Sequence, residues 1–286
     1  MTRRPVIARR VEQLLGVPVV SAAPVAGGDV ATAHRLRLND SRMVFVKTLQ
    51  HARPGQVAAE ANGLIRLRET GTVAVPEVLA ADDDCLVLDW VEPTRPSADT
   101  AAAFGRDLAA LHSLPTAGFG APADGWIARL PLPNAPVEPM TWPRFYAERR
   151  VLPYARLARD RGVLGVDDLA AVESVAGRFE TLLPDEPASL VHGDLWNGNC
   201  LWGLDGRVHV VDPAVHGAHR ELDLAMLSLF GLPHLARATA AYTEVAPLTD
   251  GWEDRTALHQ LFPLLVHAVM FGGGYGARAG DVARRH

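Results

Sequence analysis

Two aspartates and an asparagine, framed by short apolar runs, constrain this chain more than anything else in it. His192-Gly193-Asp194-Leu195-Trp196-Asn197-Gly198-Asn199 lies between the apolar segments 189–191 and 199–202, and Asp212 closes the apolar run Val208-His209-Val210-Val211. Segments 199–202 and 207–211 meet at Asp205-Gly206, a pairing that reads as a hairpin. Taken singly, each aspartate is an ordinary turn residue. Taken together, a carboxylate, an amide five positions on and a second carboxylate at the end of the returning strand form a convergent set. Such a loop can aim one carboxylate at a hydroxyl while hard oxygen ligands face a cation.

The cationic side of the composition sharpens this. Lys47 is the one lysine among 28 Lys and Arg residues, and it sits in Val44-Phe45-Val46-Lys47-Thr48. An ammonium is a compact point charge on a flexible stem, whereas a guanidinium is a broad planar fork, so a position that resists the bias toward arginine needs the narrow group. The net charge of −5 argues against nucleic acid as a partner. The arginine pairs Arg3-Arg4, Arg9-Arg10 and Arg149-Arg150 are too short to make a basic patch. No apolar run reaches membrane-spanning length, and the basic start is not followed by the apolar stretch of a signal peptide. Cys85 and Cys200 each sit in an apolar setting and read as buried reduced thiols. These features predict a cytoplasmic protein.

The periodicities predict an α+β chain of two lobes. Residues 17–26 read as a strand ending at Gly27-Gly28; residues 34–38 and 43–46 form a hairpin across Asn39-Asp40; a helix covers 56–68; a strand covers 86–91. Beyond it the pattern is mostly helical. Ser97 caps a helix through His112, Thr141 caps one across 142–161 bent at Pro153, and Asp167 caps another through Leu183. Residues 256–271 form a helix bent at Pro263. The division falls into residues 1–91, a small β-rich lobe, and 92–286, a larger helical lobe. On the helix over 56–68, Glu60 shares the face of Leu64 and Leu67, and an inward carboxylate there needs a cation, for which Lys47 is the nearest candidate.

The order of these groups resembles the protein-kinase-like bilobal fold: a glycine turn (Gly27, Gly28), a strand lysine (Lys47), a helix glutamate (Glu60), a hinge (Asp89, Trp90, Val91), a catalytic loop (Asp194, Asn199) and a metal-binding aspartate (Asp212). Within that superfamily, His-Gly-Asp in place of His-Arg-Asp points to the small-molecule branch, and 192–199 is similar to the string HGDLWxGN of the fructosamine kinase family. Gly27-Gly28-Asp29-Val30 resembles its GGDI turn, and Asp212-Pro213-Ala214 with 220–226 resembles its DPA and RExDLAM. Trp126-Ile127 and Pro131-Leu132-Pro133-Asn134 resemble YIG and PQPN, with Trp126, Gly125 and Leu132 departing from the usual Tyr, Asn and Gln. Residues 262–267 and 271–276 resemble YPLLxH and FGxGY.

The resemblance implies an ATP- and Mg²⁺-dependent kinase acting on the 3-hydroxyl of a ketoamine, either a small molecule or a glycated protein lysine, so that the product falls apart and frees the amine. It implies Asp194 as base, Gly27, Gly28, Lys47, Glu60 and the backbone of 89–91 toward ATP, and Asn199 and Asp212 as metal ligands. Trp196 is either a wall of the substrate site or core packing; His267 and Tyr275 are further substrate candidates. His192 and Asp223 support the loop, the first by orienting it and the second by accepting hydrogen bonds from it. His216 and His219 read as surface residues. The competing readings are an aminoglycoside or choline phosphotransferase and a nucleotide-binding scaffold without catalysis. A polycationic acceptor needs a dense acidic cleft, and the run Asp82-Asp83-Asp84 falls in a small-lobe turn away from the acceptor end.

Overall fold

The computed structural model describes residues 6–25, 31–135 and 139–286, so the Gly27-Gly28 turn lies outside the described residues. The chain opens with helix α1 (Val6–Leu15), then strands β1 (Val19–Val25), β2 (Ala31–Leu38) and β3 (Met43–Leu49), helix α2 (Gln56–Glu69), and strands β4 (Val78–Ala81) and β5 (Cys85–Asp89). The five strands form one antiparallel sheet in the order β1-β2-β3-β5-β4. Alternation along β3 divides the lobe. Val44 and Val46 are fully buried beside Ala8 and Val11 of α1, while Phe45 and Lys47 face the other way, into a cleft. Helix α2 sits on that side through Val57, Ala61, Leu64 and Leu67. Arg10 reaches from α1 to Asp82 and Asp84, so the acidic run is spent on holding the β4–β5 turn against α1.

The rest of the chain is mostly helical. Helix α3 (Ala98–His112) starts at Ser97, whose hydroxyl accepts from the Thr100 N–H at 3.1 Å. The hairpin β6 (Gly125–Ile127) and β7 (Leu130–Leu132) precedes a helical run made of α4 (Trp142–Phe145), a π-helical turn (Tyr146–Val151) and α5 (Leu152–Asp160). Pro153 has no N–H to offer the Arg149 carbonyl, four residues back. The Nη1 of Arg150 donates to that carbonyl at 3.1 Å instead. Then come α6 (Val166–Ala176) and α7 (Phe179–Leu182), and the β-rich island: β8 (Ser189–Val191), β9 (Cys200–Trp202), β10 (Val208–Val210) and β11 (His216–Ala218). The chain ends in α8 (Glu221–Phe230), α9 (Leu235–Val245), α10 (Trp252–His259), α11 (Leu261–Phe271) and α12 (Tyr275–Arg285).

Several expectations are corrected here. Helix α6 is capped at Gly165 rather than Asp167 and stops at Ala176, with Asp167 in its first turn. The break in 256–271 falls at Gln260, and Pro263 occupies the first turn of α11, where a missing N–H costs nothing. His216 and His219 are fully buried, not at the surface. His216 donates from Nδ1 to the Ala214 carbonyl, and His219 packs beside Trp142 and His259. Helix α1 and strand β4 have no counterpart in the sequence reading. Both cysteines are free and buried.

Candidate active site

The loop after β8 is shaped by backbone requirements. Gly193 has φ 84°, and a Cβ there would lie 2.3 Å from the Ala214 carbonyl oxygen, so only glycine lets the two chains pass. Asp223 on α8, fully buried, accepts from the His192 and Gly193 N–H groups at 2.8 and 2.9 Å. His112 faces the same carboxylate at 3.2 Å and is joined to Tyr242 at 3.0 Å. The His192 ring accepts from the Asp194 N–H at Nδ1, so its Nε2 carries the proton and donates to the Val211 carbonyl at 3.0 Å. Burial holds that ring below its ordinary pKa, and it stays neutral. The loop is tied at once to α8 and to the strand leading to Asp212.

Four charged groups meet at the cleft. Lys47 Nζ donates to both carboxylate oxygens of Glu60 and to Asp212 Oδ1, each at 2.9 Å. Lys47 and Glu60 side chains are 13% and 14% exposed; that of Asp212 is 44% exposed and opens to the cleft. Burial alone would lower the Lys47 pKa, but Asp212 and Glu60 outweigh it and raise the pKa. Burial and the neighbouring Asp212 push Glu60 upward against the pull of Lys47. Asp194 is pushed up to about 7 by burial and by Asp212, against the Asn199 hydrogen bond. Lys47 thus bonds two carboxylates, and a third, that of Asp194, is raised by its neighbour Asp212, a crowding of acids that a further cation would ease. Asn199 Nδ2 donates to the Asp194 carbonyl and carboxylate at 2.8 and 3.2 Å, which leaves its Oδ1 free to face a metal. Asp212 holds φ 53°, a costly conformation for a residue other than glycine and one that clusters at functional sites. An amide oxygen and a carboxylate are the hard donors that suit Mg²⁺.

The cleft, about 1150 Å³, extends from these groups to an aromatic wall. Trp196 meets Phe230 edge-on at 5.6 Å, and His267 lies 4.5 Å from Phe230 and 5.3 Å from Tyr275. The Trp196 ring lies over Gly198, where a Cβ would be 2.4 Å from it. Trp196, His267 and Tyr275 all line the cleft. Asp89, Trp90 and Val91 line its other end, where the Trp90 N–H is already given to the Met43 carbonyl. Lys47, Glu60, Asp89, Trp90, Val91, Asp194, Trp196, Asn199, Asp212, His267 and Tyr275 thus share one cleft. His192 and Asp223 lie behind it.

Sequence reasoning missed Gln56. Its side chain is buried at the start of α2 and donates to the Ala128 carbonyl at 2.8 Å, fastening the helix that carries Glu60 to the β6–β7 hairpin. Nothing local marks a glutamine for that contact, since its partner lies 72 residues away.

A small antiparallel sheet with one lysine–glutamate pair, a helical lobe and an Asp–Asn–Asp loop together define a protein-kinase-like, ATP-dependent phosphotransferase. The comparisons agree. A probable ketoamine kinase of Synechocystis is 33% identical, over 98% of this chain and 95% of its own. The crystal structure of a Thermobifida fusca protein provisionally named fructosamine-3-kinase matches with a TM-score of 0.91 and 46% identity, covering 98% of this chain and 97% of that one. An aminoglycoside phosphotransferase solved with ADP bound shares the fold alone, with a TM-score of 0.64 at 13% identity over 97% and 96% of the two chains. The fructosamine kinase family model matches residues 4–285, and the chain belongs to that family.

Proposed function

We propose that the protein transfers the γ-phosphoryl group of ATP to the 3-hydroxyl of a ketoamine, and that the phosphorylated product breaks down to release the amine. The observation that carries this reading is the position of Asp194. It is partly buried, its pKa is raised to about 7, and it shares the cleft with an aromatic wall rather than with a cluster of acceptor-side carboxylates. A carboxylate poised near neutrality accepts the hydroxyl proton as the oxygen attacks phosphorus and ADP leaves.

Lys47, oriented by Glu60, neutralises the nucleotide phosphates. Asn199 and Asp212 would hold Mg²⁺, which would supply charge neutralisation at the transferring phosphoryl group. The backbone near Val91 and Asp89 receives the adenine, the Trp90 amide being spent on Met43. Trp196, His267 and Tyr275 flank the sugar and amine stem. Asp223 and His192 fix the loop so that Asp194 needs no reorganisation during the step. No covalent intermediate is required.

ADP release measured side by side with ribulose-lysine, fructose-lysine, kanamycin and choline tests this. The ketoamines should be the accepted substrates, with phosphate on the 3-oxygen by NMR. Preferential use of kanamycin or choline, or phosphate at another oxygen, overturns the assignment.

A further inference from the structure

The motif Pro131-Leu132-Pro133-Asn134 has no part in the steps above, yet it is held more tightly than a loop requires. The Tyr154 hydroxyl donates to the Pro131 carbonyl at 2.6 Å. Arg150 Nη1 donates to the Pro133 carbonyl at 2.7 Å, and Nη2 to Asn134 Oδ1 at 2.5 Å. Asp124 accepts from the N–H groups of Asn134 and Ala135, each at 2.8 Å. The segment is pinned by backbone and side chain alike.

Arg150 is the unusual member. It is fully buried, it forms no ion pair among the described residues, and it lies over the rings of Phe145 and Phe262 at 4.7 and 5.6 Å. Burying an unpaired guanidinium is costly, and a carboxylate at position 134 would relieve that cost. The chain places an amide there instead. A guanidinium has donors and no acceptors, so the amide atom facing it must be Oδ1. The orientation of Asn134 is thereby fixed, with Nδ2 turned away from Arg150. Asn134 is 3% exposed, lines the cleft that holds Asp194 and Trp196, and finds no acceptor for Nδ2 among the described residues. An amide N–H₂ that meets no protein acceptor and borders the cleft is a donor that an occupant of the cleft can engage.

Resting on the ketoamine reading, we propose that Asn134 Nδ2 donates a hydrogen bond to a neutral oxygen of the acceptor sugar, and that Arg150 is the positioning residue that keeps the amide turned that way. Asparagine rather than aspartate then makes chemical sense. Aspartate would pair better with Arg150, but it would present an acceptor where the sugar oxygen needs a donor.

Asn134→Asp is accordingly the diagnostic variant, because it keeps the shape, satisfies Arg150 and removes only the donor. It should melt no lower than the parent and keep its KM for ATP and its acceptor-independent ATP hydrolysis. Its kcat/KM for ribulose-lysine or fructose-lysine should fall about tenfold or more, the scale of one lost hydrogen bond that leaves its partner unmatched. Arg150→Lys loses the fork that fixes the amide and should raise the ketoamine KM more than it lowers kcat. A folded Asn134→Asp protein whose ketoamine kcat/KM stays within about twofold of the parent overturns the inference, since a structural role alone would leave that ratio unmoved. A parent enzyme that phosphorylates no ketoamine overturns the functional reading, and this inference with it. A parent that does so, beside an equally active Asn134→Asp, overturns this inference alone.

Discussion

Two clusters of buried charge in this molecule contain similar residues and do different things. The first is the cleft group of Lys47, Glu60, Asp194 and Asp212. The second lies beneath α8 and α10: Glu221 takes Arg255 at 2.6 Å and faces His259 at 3.3 Å, while Glu186 takes Arg220 at 2.9 Å and faces His219 at 3.7 Å. His219, Glu221 and His259 bring their ligand atoms within 4.8 Å of one another, a spacing that a metal site also shows. The tautomers argue otherwise. Trp142 Nε1 donates to His259 Nε2 at 3.1 Å, so the proton sits on Nδ1, toward Glu221. The Glu221 N–H donates to His219 Nδ1 at 3.2 Å, so the proton sits on Nε2, toward Glu186. The nitrogens turned to the carboxylates carry protons rather than lone pairs, and arginines already balance both acids. That cluster is balanced in charge, though His219 Nε2 and His259 Nδ1 complete no hydrogen bond of their own. The cleft cluster is unmatched, reaches solvent through Asp212, and includes a residue in a strained backbone conformation. Surplus charge and access, not residue type, separate a site from scaffold.

Substitutions can break this contrast or sharpen it. The largest effect belongs to Asp194→Asn, which should lower kcat by about 10²- to 10⁴-fold while ATP still binds; near-normal turnover would remove Asp194 from the role of base. Lys47→Arg keeps the charge but not the compact ammonium, and should cost on the order of a hundredfold in kcat/KM without loss of fold. A fully active arginine variant would show that the cleft needs only charge. In the balanced cluster, Glu221→Gln should cost about 3 kcal/mol of stability by leaving Arg255 without its partner, with kcat of the folded protein unchanged. A drop in kcat at constant melting temperature would move Glu221 into the functional class.

Acid should report on the buried histidines more gently. His216 is held down to about 3 by burial and by Arg150, and His219 to about 3 by burial and by His259. The unfolded chain binds protons at these positions from about pH 6.5 downward and the folded chain does not, so stability falls as pH drops from about 6.5 toward 3. Melting temperatures that stay flat from pH 7 to pH 4 would contradict it.

The fold was legible where one local pattern decides. Ser97 and Thr141 announce helices because a hydroxyl before an apolar run satisfies the first amides, and both do so here. Alternation along 43–49 and the three-to-four spacing of Glu60, Leu64 and Leu67 suffice to turn Lys47 and Glu60 to the same side of their elements. What the sequence leaves out depends on distant partners. Strand β4 is four residues of ordinary apolar chain that become a strand by pairing with β5. Nothing beside His216 and His219 in sequence marks them as interior; Phe145 packs on the first, and Trp142, His259 and Glu186 surround the second. Arg149-Arg150 looks like a surface pair, and two of the neutral oxygens that hold Arg150 lie 16 and 17 residues back, in a motif that nothing local ties to a buried arginine.

The crossing between the lobes carries one further consequence. The Thr94 N–H donates to the Trp202 carbonyl, the Leu204 N–H to the Glu92 carbonyl, and Pro93 bridges Gly203. The linker is thus laced to the β9–β10 hairpin, which begins directly after Asn199 and ends two residues before Asp212. The segments proposed to seat the purine and the metal are two marks on a single ruler. The spacing between those marks is set within one laced unit, whereas Lys47 reaches Asp212 from the five-stranded sheet through a single side-chain contact.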